Sequence, residues 1–115
     1  MNILRGEIWY AELSPTQGSE QSGIRPVLVV QNDSVNKYTS TILIIPLTTN
    51  MRRASLPTCL KLSIGEGGVS AESVLLCHQM RAIDRTRLKN KLGIVSKQTL
   101  ISVEDCLLFT LGIRI

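Results

Sequence analysis

Short runs of β-forming residues, each closed by turn residues, recur along this chain and limit its possible folds more than any other feature. Turns rich in Pro, Asn and Asp separate the runs, as at Ser14-Pro15 and Asn32-Asp33. Such spacing predicts an antiparallel sheet or a small barrel. The predicted strands are Ile8 to Leu13, Pro26 to Gln31, Thr41 to Leu47, Thr58 to Ile64, Ser73 to Gln79, and a weaker one near Leu92 to Val95.

Two of these runs are continuously apolar, and the last part of the chain changes its period. Val27 to Val30 and Ile42 to Ile45 do not alternate with polar residues, which predicts strands buried on both faces in the middle of the fold. After Val95, Ser96 is a suitable N-cap, and apolar residues then recur at helical spacing as far as Gly112. We therefore predict a mainly β protein, an antiparallel barrel with a C-terminal amphipathic helix.

The length and charge of the chain limit its organisation and its partners. Its 115 residues show no break in composition and can enclose one core, so we expect residues 1–115 to form a single domain. Thirteen Lys and Arg residues against nine Asp and Glu residues give a formal charge of +4, which favours nucleic acid or an acidic peptide as a partner. No apolar run has the length of a transmembrane helix or the pattern of a signal peptide. We expect a cytoplasmic protein with no membrane partner.

Several kinds of chemistry lack the residues that they need. One histidine, His78, and scattered acidic residues give no recognised metal-ligand spacing, so we expect neither a metal nor a cofactor. There is no phosphate-binding loop ending in Lys-Ser/Thr, and few aromatic side chains on which RNA bases could stack. Cys59, Cys77 and Cys106 form no CxxC pattern and are predicted to be reduced core thiols. Cysteine catalysis is disfavoured because Cys77 and its neighbour His78 would point to opposite faces of a strand.

A more informative pair of residues lies at the ends of the two buried strands. Arg25 enters the second strand and Thr48 leaves the third, so antiparallel pairing would bring a guanidinium and a hydroxyl to one rim of the sheet. Arginine offers a planar fork of donors to phosphate oxygens, and a threonine hydroxyl can donate one more hydrogen bond to a developing charge. An ordinary structural role stays open, with Arg25 pairing with Glu20 or a carbonyl and Thr48 capping a turn, and the pattern alone slightly favours it.

Longer stretches of the sequence resemble a known family, the MazF/PemK (Kid) toxins of type II toxin–antitoxin systems. The family's order and spacing are matched by the phrases RGEIWYAELSPTQGSEQSGIRPVLVVQND, PLTTN, LPT and QMRAIDRTRL. The resemblance runs from Arg5 to about Leu88, and the terminal helix resembles the family in pattern only. It implies an SH3-like antiparallel barrel of the PemK/CcdB type that works as a homodimer and has a MazE-like antitoxin as its partner.

The same resemblance implies an activity, which is metal-independent cleavage of single-stranded mRNA at short sequences. The ribose 2′-hydroxyl would attack the adjacent phosphate and leave a 2′,3′-cyclic phosphate and a 5′-hydroxyl, inhibiting translation and growth; DNA lacks that hydroxyl. By motif, the family's catalytic arginine falls on Arg25 and its catalytic Thr/Ser on Thr48. Because an arginine side chain stays protonated near neutral pH, Arg25 is expected to clamp the scissile phosphate while Thr48 orients or stabilises the pentacovalent intermediate.

Base recognition is implied for the loop before Arg25 and for rim positions nearby. The family pattern has an acidic residue at position 78, so His78 is a departure that could change the accepted base or could equally be structural. Ser73 could instead bond to backbone, and Leu56-Pro57 could be a hairpin bend. The expected RNA-binding residues are Ser19, Glu20, Gln21, Leu56, Pro57, Ser73, His78 and Gln79.

Two alternatives from other functional classes remain. A toxin on the same barrel could poison DNA gyrase, since a fold does not fix a function, but such toxins use a tryptophan-containing C-terminal tail, and this chain ends in LLFTLGIRI. A non-catalytic RNA- or peptide-binding barrel, or a toxin homologue that has lost activity, would bind without cleaving.

Overall fold

The structure, a computed structural model, describes residues 2–114, whose strands form one curled antiparallel sheet. The strand order is β4-β5-β3-β2-β1-β7, with β6 pairing to β3. Within the described residues the outermost strands of this order, β4 and β7, do not pair, so the predicted barrel is present as a curled but unclosed sheet. The elements are β1 (Glu7–Glu12), β2 (Ile24–Val29), α1 (Asp33–Asn36), β3 (Thr41–Thr48), β4 (Cys59–Leu62), β5 (Ser73–Leu76), β6 (Arg81–Asp84), β7 (Leu88–Ile94) and α2 (Lys97–Leu111), with short 3₁₀ turns at Met51–Arg53, Glu66–Gly68, Cys77–Gln79 and Arg85–Arg87.

The two continuously apolar strands are central, as predicted, and each contributes side chains to two separate cores. Leu28 and Ile45 belong to the core cluster that packs beneath the terminal helix. Val27 and Ile44 point to the other face, where they pack with Trp9. Because both faces of β2 and β3 are buried, these strands have no polar alternation, and their ends are held firmly in place.

One edge of β3 carries β5 and β6 in succession, separated by a three-residue insertion. Leu47 pairs with Leu75, and Ile44 pairs with Arg81, so three residues along β3 correspond to six along its neighbour. The extra residues form the 3₁₀ turn Cys77–Gln79, which leaves the sheet. The predicted strand therefore ends at Leu76 rather than at Gln79.

The outer part of the sheet differs from the sequence-based prediction. β6 was not predicted, because Ile83 is its only fully buried residue and the others are at least partly exposed. β7 begins at Leu88 instead of near Leu92, and its exposed Lys89 and Lys91 lie at the edge of the sheet. Lysines on an edge strand discourage pairing with other chains, which is a physical reason for Lys89 and Lys91 at this edge.

The terminal helix has the predicted boundaries. The Ser96 hydroxyl accepts a hydrogen bond from the backbone N–H of Thr99 at 3.2 Å, and the helix ends at Gly112, whose φ of 68° suits glycine. Val103, which is fully buried, lies in the core cluster that also contains Ile8 and Leu28. In residues 2–114 we find no helix long and apolar enough to cross a membrane.

Glu66, in the turn before β5, holds the start of this helix. Its Oε2 accepts hydrogen bonds from the Ser96 N–H at 2.9 Å and from the Thr99 hydroxyl at 2.8 Å. These bonds, the Ser96 N–H first, keep the pKa of the Glu66 carboxyl below its ordinary value of 4.5. The folded state therefore favours the carboxylate, so the contribution of Glu66 to stability is present above its ordinary pKa and is lost as pH falls through the lowered one.

We expect Glu66→Gln to lower the free energy of unfolding by about 1 kcal/mol at neutral pH, because a neutral amide accepts these hydrogen bonds more weakly. The difference from wild type should shrink as the pH is lowered below 4.5, where the wild-type carboxylate gains its proton. Urea unfolding at a series of pH values measures this, with Asp105→Asn, a change at an exposed helix position, as the control. A destabilisation that stayed constant at acidic pH would contradict the assigned role of the charge.

Candidate active site at the rim of the sheet

Arg25 and Thr48 lie together at one rim of the sheet, as the predicted strand pairing requires. β2 and β3 are antiparallel, with Val27 opposite Pro46. Continuing this register by two residues in each strand brings Arg25 opposite Thr48. Both residues line a small cleft of about 40 Å³, whose walls also include Ser73. A cleft of this size has room for about three waters, so it suits a small polar group such as a phosphate rather than a base.

The hydrogen bonds of Arg25 leave most of its guanidinium available. Its Nε donates to the carbonyl oxygen of Ser22 at 2.9 Å. Among the described residues Arg25 forms no ion pair, and the carboxylate of Glu20 instead accepts from the backbone N–H of Gln17 at 2.7 Å. Of the two structural partners considered from the sequence, the carbonyl is present and Glu20 is not. The terminal amino groups of the half-exposed guanidinium can still bind an anion bidentately.

Thr48 is buried, and its hydroxyl is used on one side only. Its Oγ1 accepts the backbone N–H of Asn50 at 3.2 Å, which is the turn-capping bond considered from the sequence. A hydroxyl that accepts one hydrogen bond keeps its own proton free to donate. Ser73, on the facing wall, donates its hydroxyl to the carbonyl of Ala71 at 2.9 Å, so backbone bonding occupies that proton. Thr48 is therefore the better placed donor for a group in the cleft.

A second, larger cavity lies beside the loop that precedes Arg25. It has a volume of about 230 Å³ and takes its walls from that loop and from the 3₁₀ turn after β5. Its lining includes Glu20, Gln21, His78 and Gln79, four of the residues predicted to bind RNA. Ser19 is exposed in the same loop, and its carbonyl oxygen accepts from Gln79 Nε2 at 3.4 Å. The structure thus brings the predicted loop and turn residues around one space large enough for a nucleotide base.

His78 contacts its neighbours through one ring nitrogen, and its side chain is otherwise exposed. Its Nδ1 lies 3.1 Å from the Thr58 hydroxyl and 3.9 Å from the Cys59 Sγ. Leu56 and Pro57 are exposed in the connection just before Thr58 and line neither cavity. The predicted Leu56-Pro57 step therefore reaches the site only through its neighbour Thr58, in keeping with the hairpin-bend alternative.

Sequence reasoning missed three features of the site. Arg81 lines the larger cavity and adds a second guanidinium to it, although the phrase QMRAIDRTRL already contained that residue. Asn50 supports Thr48, and Thr58 contacts His78. The Asn50 and Thr58 contacts join residues on either side of a turn or a strand. The sequence carries no periodic signal for such contacts.

The three cysteines are brought together in the core, although they are far apart in the sequence. The Cys106 thiol lies 3.8 Å from the carbonyl oxygen of Cys59, and all three thiols are free. Burial raises the pKa of the Cys77 thiol to about 12, and burial also raises the pKa of the Cys106 thiol. The reason given from the sequence against cysteine catalysis was wrong, because Cys77 and His78 belong to a turn rather than a strand. The raised pKa values make the Cys77 and Cys106 thiols poor nucleophiles.

Other parts of the described chain give weaker candidate sites than the Arg25 cleft. In residues 2–114 no group of three or more His, Cys, Asp or Glu side chains is close enough to hold a metal ion. A cavity of about 370 Å³ lies at the opposite end of β2 and β3, next to Asp33, Lys37 and Arg85. It lacks a hydroxyl beside its guanidinium, so the Arg25 cleft remains the better candidate for phosphate chemistry.

Comparison with known proteins gives the class of protein that this fold and cleft define. A family model described as "PemK-like, MazF-like toxin of type II toxin-antitoxin system" matches residues 4–111. The chain is 40% identical over 112 residues to a protein named Endoribonuclease MazF from Staphylococcus epidermidis, covering 97% of this chain and 93% of that relative. The chain is thus a toxin from a type II toxin–antitoxin system.

Solved structures agree with this class. The crystal structure of MazF (Form-I) from Deinococcus radiodurans superposes with a TM-score of 0.84 at 25% identity, covering 98% of this chain and 99% of that chain. The crystal structure of MazE-MazF (Form-II) from the same organism gives a TM-score of 0.80 at 27% identity, covering 99% of each chain. The chain belongs to the PemK-like, MazF-like toxin family, which confirms the resemblance read from the motifs.

Proposed function

We propose that this toxin endoribonuclease cuts single-stranded mRNA without a metal, by attack of a ribose 2′-hydroxyl on the adjacent phosphate. The endoribonuclease assignment is supported by 40% identity to the S. epidermidis protein over nearly the whole chain. The observation that carries the chemistry is the small cleft whose walls include both Arg25 and Thr48. A guanidinium and a hydroxyl donor are what a pentacovalent phosphorane needs, since negative charge grows on its equatorial oxygens.

In the proposed reaction, O2′ of one nucleotide loses its proton and bonds to phosphorus while the bond from phosphorus to O5′ breaks. The 2′-hydroxyl proton passes to solvent and the leaving O5′ takes up a proton, so the products are a 2′,3′-cyclic phosphate and a 5′-hydroxyl. Arg25 clamps the phosphate oxygens through its terminal amino groups and can supply a proton toward O5′. Thr48 donates its hydroxyl to an equatorial oxygen while the Asn50 N–H holds its Oγ1.

Base recognition is proposed for the larger cavity. Glu20, Gln21 and the exposed ring of His78 line it, and Arg81 adds a positive charge that suits an RNA backbone. Single-stranded RNA can place an unstacked base there and present its Watson–Crick edge to these polar groups. Ser19, next to Glu20 in the exposed loop, would contact the same strand.

The proposed partners are a second copy of the chain and an antitoxin, both in the cytoplasm. The terminal helix α2 exposes Ile101, Phe109 and Leu111, each more than half exposed, and such exposed apolar side chains favour a homodimer contact. A solved relative is titled as a complex of MazE with MazF, which supports a MazE-like antitoxin for this chain. The net charge of +4 would attract an acidic antitoxin segment to the RNA site.

Incubation with a long mixed-sequence RNA in EDTA, beside a DNA of the same sequence, tests the proposal. We expect cuts at one short sequence, with cyclic-phosphate and 5′-hydroxyl ends mapped by sequencing and phosphatase sensitivity, and no cuts in DNA. Uncut RNA with folded, antitoxin-free protein would contradict the proposal. Gyrase inhibition under the same conditions, or RNA binding without cleavage, would then identify which of the two alternatives holds.

A further inference from the structure

In the loop between β1 and β2, residues 17–23 lie beside the candidate site and are hydrogen-bonded from outside the loop by one residue. Within residues 17–23 its own bonds include Gln17 N–H to Glu20 Oε1 at 2.7 Å. In the described part of the chain, Gln79 is the only residue beyond positions 13–25 that hydrogen-bonds this segment. Gln79 Oε1 accepts from the Gln21 N–H at 3.1 Å, and its Nε2 donates to the Ser19 carbonyl at 3.4 Å. One side-chain amide therefore bridges two backbone groups of the loop.

The orientation of this amide is fixed by its partners. A backbone N–H can only donate and a carbonyl can only accept, so Oε1 must face Gln21 and Nε2 must face Ser19. The amide is thus already engaged at both ends before any RNA arrives. Gln79 itself is anchored, because its 3₁₀ turn lies between β5 and β6, which both pair with β3.

The same loop orients the guanidinium. Ser22 directly follows Gln21, and its carbonyl oxygen accepts the Arg25 Nε–H at 2.9 Å. A hydrogen bond at Nε sets the plane of the guanidinium and therefore the direction of its terminal amino groups. The contacts form one continuous path from Gln79, through the loop backbone at Gln21 and Ser22, to Arg25.

We propose that Gln79 is a positioning residue, which holds the loop so that the Ser22 carbonyl aims the Arg25 guanidinium into the cleft. This role replaces direct base reading, which the sequence suggested for Gln79. Its catalytic consequence rests on the proposed ribonuclease function, whereas its structural consequence does not.

Amide hydrogen exchange and NMR of the RNA-free protein test the structural consequence. We expect Gln79→Ala to speed exchange of the Gln21 amide by about tenfold and to broaden or shift the Arg25 Nε–H signal, with the unfolding midpoint unchanged. Gln79→Glu keeps an acceptor for the Gln21 N–H but loses the donor to Ser19, so it should retain most of the protection. Gln98→Ala, at an exposed glutamine of α2, is the matched control and should change neither signal. Unchanged exchange at Gln21 in Gln79→Ala would overturn the proposal.

Cleavage kinetics then separate positioning from base reading. A misaimed guanidinium lowers kcat by about tenfold in Gln79→Ala, with KM changed less than about threefold and the cleaved sequence unchanged. Gln79→Glu should recover part of the kcat. A changed cleavage sequence with an unchanged Gln21 amide would instead assign Gln79 to base reading.

A double-mutant cycle checks the path itself. Single-turnover cleavage should be about tenfold slower in Gln79→Ala than in the wild type, but no slower in the double variant than in Arg25→Ala alone. An additional loss in the double variant would overturn a path through Arg25. If the wild type cuts no RNA, the proposed function fails, while the exchange experiment still decides whether Gln79 holds the loop.

Discussion

Arg25→Ala is expected to lower kcat/KM for RNA cleavage by at least about a hundredfold, because it removes the guanidinium that would carry the charge of the phosphorane. No other cation lines the cleft in the described residues, whose walls are otherwise neutral. Single-turnover cleavage of a short RNA that contains the preferred sequence measures the effect. Arg114→Ala, which removes an exposed arginine after the terminal helix, keeps the change in net charge equal and should leave the rate unchanged.

Three further variants separate the effects of the Arg25 charge, the Arg25 geometry and the Thr48 hydroxyl on the cleavage rate. Arg25→Lys keeps the charge but loses both the planar fork and the Nε bond to the Ser22 carbonyl, so it should recover only a small part of the rate. Thr48→Val removes the hydroxyl at nearly constant volume and should cost about tenfold or more, whereas Thr48→Ser should stay close to wild type. Near-normal cleavage by Arg25→Lys would refute the bidentate clamp and leave charge alone as the contribution of Arg25.

Gly68→Ala is expected to lower the free energy of unfolding by about 3 kcal/mol, the largest stability change among the substitutions considered for this chain. Gly68 has a φ of +83°, and an added Cβ would overlap the carbonyl oxygen of Leu92 and lie 2.7 Å from its carbonyl carbon. Both atoms belong to the backbone of β7, which cannot move aside as a side chain could. Urea unfolding followed by circular dichroism measures the effect.

Gly65→Ala separates the two causes of this loss. Gly65 has a similar φ of +93° but nothing within 4 Å of its Cβ position. It should cost only about 1 kcal/mol, which is the price of a left-handed conformation. Equal losses in the two variants would show that the close approach of this turn to β7 contributes nothing.

The sequence predicted the scaffold well because burial leaves a periodic trace. The continuous runs at 27–30 and 42–45 predicted central strands, and their antiparallel pairing brought Arg25 and Thr48 to one rim, which the structure confirms. The terminal helix was predicted from its cap at Ser96 and its end at Gly112. Each of these features depends on residues close together in the chain or on one strand pairing.

The parts that the sequence did not predict depend on contacts without a period. The short strand β6 has one buried residue, so its sequence looks like a polar loop. The apolar run of β5 continues into Cys77, but the strand ends at Leu76 and Cys77 begins a turn. The bridge from Gln79 to Gln21 spans more than fifty positions and depends on the direction of a single amide. Such directions follow from the assembled fold rather than from residue types.

The three-residue insertion between β5 and β6 has a consequence for how such a toxin can acquire a new target. Cys77, His78 and Gln79 lie outside the ladder of β3, so the pairing of the flanking strands does not depend on which side chain stands at position 78. His78 can therefore be exchanged for a residue of another charge or size without disturbing the pair Arg25 and Thr48. Under the proposed roles, position 78 can diverge to change substrate choice, while Gln79 in the same insertion and the pairing of β2 with β3 keep the catalytic geometry.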